Sequence, residues 1–191
     1  MTIIVGLGGS LRRASFNSGL LRAAAQLAPA GSTLAVYGIA GIPLYDGDLE
    51  EAEGIPSAVA GLKDAIAAAD GLLIATPEYN SSIPGVLKNA IDWLSRPNSD
   101  IARVFGGKPV ALIGASPGGF GTVLSQAAWL PVLRQLGAAP WFGAPLTVAR
   151  SGKLFDADGD LTDGETRERL AALLVKFVAS IEQGNGAAGE D

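Results

Sequence analysis

Apolar residues along the chain fall into two kinds of segment. Short unbroken runs at 3–7, 33–37, 71–75 and 110–115 are too brief for helices and are bounded by turn residues, and a fifth run lies within 138–149. Runs of this kind fit strands covered on both faces, as in a parallel sheet. Between them, leucine, isoleucine and alanine recur every three to four positions, which predicts helices over 18–27, 57–69, 84–94, 122–136 and 163–181. Pro84 suits a first helical turn, where its missing N–H costs nothing, and Pro131 marks a place where the fourth helix can kink. Charged residues pair at i, i+4 spacing in the last helix. Residues 38–56 read as a loop longer than ordinary connections. The alternation predicts a three-layer α/β/α sandwich around a parallel sheet, one domain over 1–183 with a disordered tail at 184–191. Such sheets bind ligands beyond the carboxyl ends of their strands, so the loops at 8–17, 76–82 and 116–121 carry the functional expectation.

Composition narrows the chemistry. With 191 residues, 48% hydrophobic and 17% charged, the chain can bury a core of its own. No apolar run approaches the roughly 18 residues needed to span a bilayer, and no basic segment precedes the first run, so a cytoplasmic protein without a membrane partner is expected. A net charge of −5 argues against a nucleic-acid partner. The absence of cysteine and histidine removes the usual nucleophiles and most metal ligands, so no metal site is expected. Any catalysis must then rest on a bound group.

The first loop, GGSLRRASFNS at 8–18, offers that group a seat. A helix start presents unpaired N–H groups and partial positive charge to an anion. Ser10, Ser15, Asn17 and Ser18 add neutral donors, and Arg12 or Arg13 adds a planar cationic fork. The plainer reading is that Ser15 or Asn17 only caps the helix. The spacing is not that of a P-loop, and Leu11 stands where a dinucleotide fingerprint requires its third glycine, so a mononucleotide phosphate fits best. Two other patterns fail on chemistry. Residues 114–118 match G-x-S-x-G, but Pro117 has no N–H to form an oxyanion hole and no histidine is present to activate Ser116. Asp156, Asp158 and Asp160 begin like a calcium loop, yet Leu161 replaces the required glycine. Trp93, Trp129 and Trp141 are expected in the core or in subunit contacts.

The second loop and the helix after it, TPEYNSSIPGVLKNAIDWLSR at 76–96, together with GSLRRASFN at 9–17, resemble the NADPH-dependent FMN reductase family of flavodoxin-like proteins, which includes quinone and chromate reductases. IPLYDGDLE at 42–50 and SPGGFGT at 116–122 extend the likeness along nearly the whole chain. The resemblance implies a flavodoxin-like five-stranded sheet of order 2-1-3-4-5 and bound FMN. It implies that Ser10, Arg12, Ser15 and Asn17 hold the phosphate beside Phe16. Pro77, Glu78, Tyr79 and Asn80 would line the ribityl chain and one edge of the flavin, and Ser116, Pro117, Gly118 and Gly119 would approach the ring. Glycines at 118 and 119 would let backbone N–H groups come close to a flat ligand. Glu78 reads as a carboxylate that caps backbone groups and fixes the loop's shape, not as a base. The implied reaction is ping-pong, with NADPH or NADH as donor and a small quinone, azo compound or metal oxyanion as acceptor. The implied assembly is a homodimer or homotetramer. A flavodoxin-like electron carrier is the alternative, and Arg12 in the phosphate loop favours the enzyme.

Overall fold

The computed structural model describes residues 1–187, apart from the side chains of residues 185 and 187. Five strands, β1 (Thr2–Gly8), β2 (Ser32–Tyr37), β3 (Gly71–Ala75), β4 (Pro109–Ala115) and β5 (Ala139–Val148), pair in parallel in the order β2-β1-β3-β4-β5. This is the flavodoxin-like order that the resemblance implies. The helices are α1 (Phe16–Gln26), α2 (Gly47–Glu53), α3 (Ser57–Ala68), α4 (Gly85–Leu94), α5 (Ile101–Phe105), α6 (Val123–Gln135) and α7 (Gly164–Ala187).

The unbroken hydrophobicity of the inner strands has a direct cause. Every residue of β3 is buried, and its side chains alternate between two cores. Leu73 and Ala75 join Ile4, Ile113 and Val148 under α1 and α7. Leu72 and Ile74 join Val5, Leu7 and Val110 under α3, α4, α5 and α6. Trp93 and Trp129 are completely buried in this second core, while Trp141 is half-buried against Phe177. The β4–β5 pair, at one edge of the sheet, is not regular. Ala111 faces Trp141 and Ile113 faces Leu146, so residue 112 alone stands opposite residues 142–145.

Several expected boundaries shift. The first helix begins at Phe16, because Ser15 caps it by accepting from the Ser18 N–H. Pro84 is the capping residue of α4 and not its first helical residue. The segment 38–56 is not wholly loop: Asp46 caps the short α2, which fully buries none of its side chains and so carries no apolar period to read. Helix α5 is likewise absent from the periodic pattern; at five residues it is too short to produce one. The last helix continues to Ala187, so residues 184–187 of the expected tail are helical, and 188–191 lie outside the described residues. Helix α6 runs through Pro131 without a break.

Candidate functional site

Parallel pairing delivers the loops after β1, β3 and β4 to the same end of the sheet. There Ser10, Arg12, Ser15, Phe16, Asn17, Pro77, Glu78, Tyr79, Ser116 and Pro117, with Ala115, line one open cleft. Asn80, Gly118 and Gly119 are the candidates outside that lining; Asn80 is at the apex of the second loop, and the two glycines follow Pro117.

Tight backbone contact makes the convergence possible. The Gly9 N–H donates to the Ala75 carbonyl at 2.9 Å, and a Cβ on Gly9 would lie only 3.0 Å from that oxygen and 2.5 Å from Leu87. A Cβ on Gly114 would stand 2.4 Å from the Thr76 carbonyl, so β4 must have glycine where the third loop leaves the sheet. Beneath the second loop, the Thr76 hydroxyl meets the Ser125 hydroxyl at 2.8 Å and accepts from the Trp129 indole N–H at 3.0 Å. Sequence reasoning missed this buried network. Its one available signal was a serine, Ser125, in helical register with the apolar Trp129 and Leu133 of α6.

Individual side chains take distinct tasks. Asn17 is buried; its amide donates to the Ala115 carbonyl and its side-chain oxygen accepts from the Ala115 N–H, both at 2.9 Å. The same side chain that lines the cleft thus also braces α1 against the end of β4. Ser10 accepts from the Arg12 N–H at 3.2 Å and shapes the loop around that arginine. Arg12 is exposed, makes no ion pair among the described residues, and stands before a helix with no acid in its first turn. Phe16 lines the cleft with one side and stacks on Phe155 with the other, at 4.8 Å between centroids.

Glu78 behaves as the capping carboxylate that its position suggested. It accepts from the backbone N–H groups of Leu124 and Ser125, at 2.9 and 3.0 Å, and so seals the start of α6 from the neighbouring loop. After it, Tyr79 and Ser82 exchange backbone bonds of 3.1 and 3.0 Å across Asn80 and Ser81, both left-handed, with φ of 50° and 61°. Two consecutive non-glycine residues in that region form a strained, well-defined turn that presents Tyr79 half-exposed to the cleft. Gly118 and Gly119 differ from Gly9 and Gly114: neither needs a positive φ, and a Cβ on Gly119 would meet nothing within 4 Å. Their missing side chains leave room on the cleft rim. Farther out, segment 42–50 is strapped to α4, where Asn89 and Trp93 donate to the Pro43 carbonyl at 2.8 and 2.9 Å. Arg96 donates to Glu50 at 2.9 Å and, with the Tyr45 hydroxyl, holds that carboxyl below the usual range.

The two decoy patterns resolve into local structure. Ser116 accepts from the Gly118 N–H at 3.2 Å, and no metal-holding cluster of acidic residues occurs among the described residues. Asp156 folds the 156–160 turn by accepting from the N–H groups of Asp158 and Asp160, and Arg22 ties Asp160 to α1.

An open cleft built from three strand-end loops of a 2-1-3-4-5 sheet, with an acid-free helix start and an arginine at one end, defines a flavodoxin-like mononucleotide protein. Residues 2–150 match the model of the NADPH-dependent FMN reductase family, and the chain belongs to that family. It is 45% identical over 167 residues to an NAD(P)H-dependent FMN reductase of Pseudomonas aeruginosa, covering 87% of this chain and 88% of the relative. It is 42% identical over 171 residues to a 2-hydroxy-1,4-benzoquinone reductase of a Burkholderia species, covering 90% and 91%. The solved flavoenzyme NAD(P)H:(acceptor) oxidoreductase of Paracoccus denitrificans superposes with a TM-score of 0.83 at 35% identity, covering 96% of this chain and 98% of that one. Among the described residues no helix is long and apolar enough to cross a membrane.

Proposed function

We propose that this FMN-dependent NAD(P)H oxidoreductase seats its flavin in the cleft between the three loops and passes electrons to a quinone by a ping-pong sequence. The observation that carries this reading is the pairing of an acid-free helix start and an Arg12 without an ion pair among the described residues with the uncrowded Gly118 and Gly119 of the third loop. Charge in the first loop suits a phosphate, and bare backbone in the third suits a flat ring. When bound, FMN supplies the centre that takes a hydride from NAD(P)H and returns it to the acceptor. Arg12 and the first-turn N–H groups of α1 bind the anionic end. Asn17 and Glu78 hold the walls at fixed separation, so orientation is built in before any ligand arrives. No side chain is assigned as acid or base, in keeping with a chain that lacks histidine. The relative that reduces a hydroxybenzoquinone supports a quinone as the first acceptor to assay, ahead of azo dyes and metal oxyanions.

We further infer a cytoplasmic homodimer or homotetramer. Leu44 and Phe142 stand 82% and 69% exposed, which supports contact with a second copy. The deciding experiment is an absorption spectrum of the purified protein, then NADPH under argon, then benzoquinone. The expected result is a yellow protein that bleaches with NADPH and recovers its colour with the quinone. A protein that stays colourless after incubation with excess FMN overturns the reading.

A further inference from the structure

The loop after β5 is not among the three that line the cleft, yet it is fastened to the third. The Arg150 N–H donates to the Gly118 carbonyl at 2.9 Å, and the Ser151 N–H donates to the Ser116 carbonyl at 3.2 Å. Arg150 is held in the left-handed region, at φ 50° and ψ 39°, which is unfavourable for an arginine. Ser151 is fully buried, and its hydroxyl has no partner among the described residues. Two adjacent energetic costs that packing does not repay are the mark of a functional segment. What the strain achieves is placement: Arg150 is exposed beside the ring-facing loop and makes no ion pair among the described residues. Two residues beyond Gly118, Phe120 is 81% exposed.

The geometry points to Arg150 and Phe120 as the seat for the adenosine end of NADPH, with the arginine on the 2′-phosphate and the ring against the adenine. The assignment rests on the FMN reductase reading and makes the enzyme selective for NADPH over NADH. An arginine fork matches a phosphate monoester, and an exposed aromatic ring gives a purine a stacking face. Arg12 lines the cleft whereas Arg150 does not, so the two anions are assigned to different cations.

Calorimetry with NADP⁺ and with NAD⁺ on the FMN-loaded protein tests this, with KM values for NADPH and NADH as a second readout. Arg150→Asn retains a residue that tolerates the left-handed backbone and removes the charge. The expected result is a ten- to hundredfold loss of preference for NADP⁺ over NAD⁺, the size of one charge-assisted contact. Arg150→Lys should recover part of that preference. Adenosine 2′-monophosphate should compete with NADPH in the wild type and lose its grip in the Asn variant. An unaltered NADP⁺ to NAD⁺ ratio in Arg150→Asn overturns the assignment, and so does loss of FMN, which would make Arg150 a brace for the ring loop. A wild-type protein that takes up no FMN would instead sink the underlying functional reading.

Discussion

Asn17 shows how one residue can carry a structural task beside an expected binding one. An asparagine in a phosphate-loop pattern suggests a donor to the ligand, and its two bonds to Ala115 add the brace that ties α1 to β4. The bracing task is not legible in the sequence, because residues 17 and 115 meet solely through sheet order. Arg12 is more legible, since an exposed cation before an acid-free helix start needs no tertiary information. Arg12→Ala should weaken FMN binding about ten- to a hundredfold, measured by fluorescence titration, from loss of a charge-assisted bond of roughly 1.5–3 kcal/mol. Asn17→Ala should behave differently. Orphaning the buried Ala115 N–H and carbonyl should cost on the order of 1–3 kcal/mol, and the melting temperature should fall by several degrees whether or not FMN is present.

At the level of elements, the periodic signals locate all five strands and the five longer helices, because each of these buries one face or both. Helices α2 and α5 leave no such signal, as one fully buries no side chain and the other is little more than a turn. The staple from Glu78 to α6 is legible only as a capping carboxylate, without its partner, because the helix it caps lies 46 residues away. Glu78→Ala should unseal that helix at a cost of roughly 0.5–2 kcal/mol, read as a drop in thermal midpoint, and should loosen FMN as the second loop shifts. Unchanged FMN affinity alongside a lowered midpoint would separate the helix from the cleft. At α7, Asp163 accepts from the backbone N–H and the hydroxyl of Thr166, bonds that hold its carboxyl below the ordinary range.

Across the whole molecule, several carboxylates share that bias. Glu50 is lowered chiefly by Arg96, and Asp100 chiefly by Lys63 and then Arg103. A folded-state value below the unfolded one means that the native state binds fewer protons, so the stabilisation is complete above the unfolded carboxylate range, about pH 4. It is lost as the pH falls through the lowered folded values. Thermal midpoints should therefore be flat near neutrality and decline below about pH 4, and Asp163→Asn should make that decline shallower. Light scattering on the purified protein should give twice or four times the chain mass of 19.3 kDa.

The mismatch between β4 and β5 has a further effect on how molecules meet. With residues 142–145 bowed out of the ladder, the free margin of the outermost strand offers no long straight row of N–H and carbonyl groups. A stranger's strand can therefore add to it for only a few residues before the spacing fails, which protects the β5 edge from sheet extension.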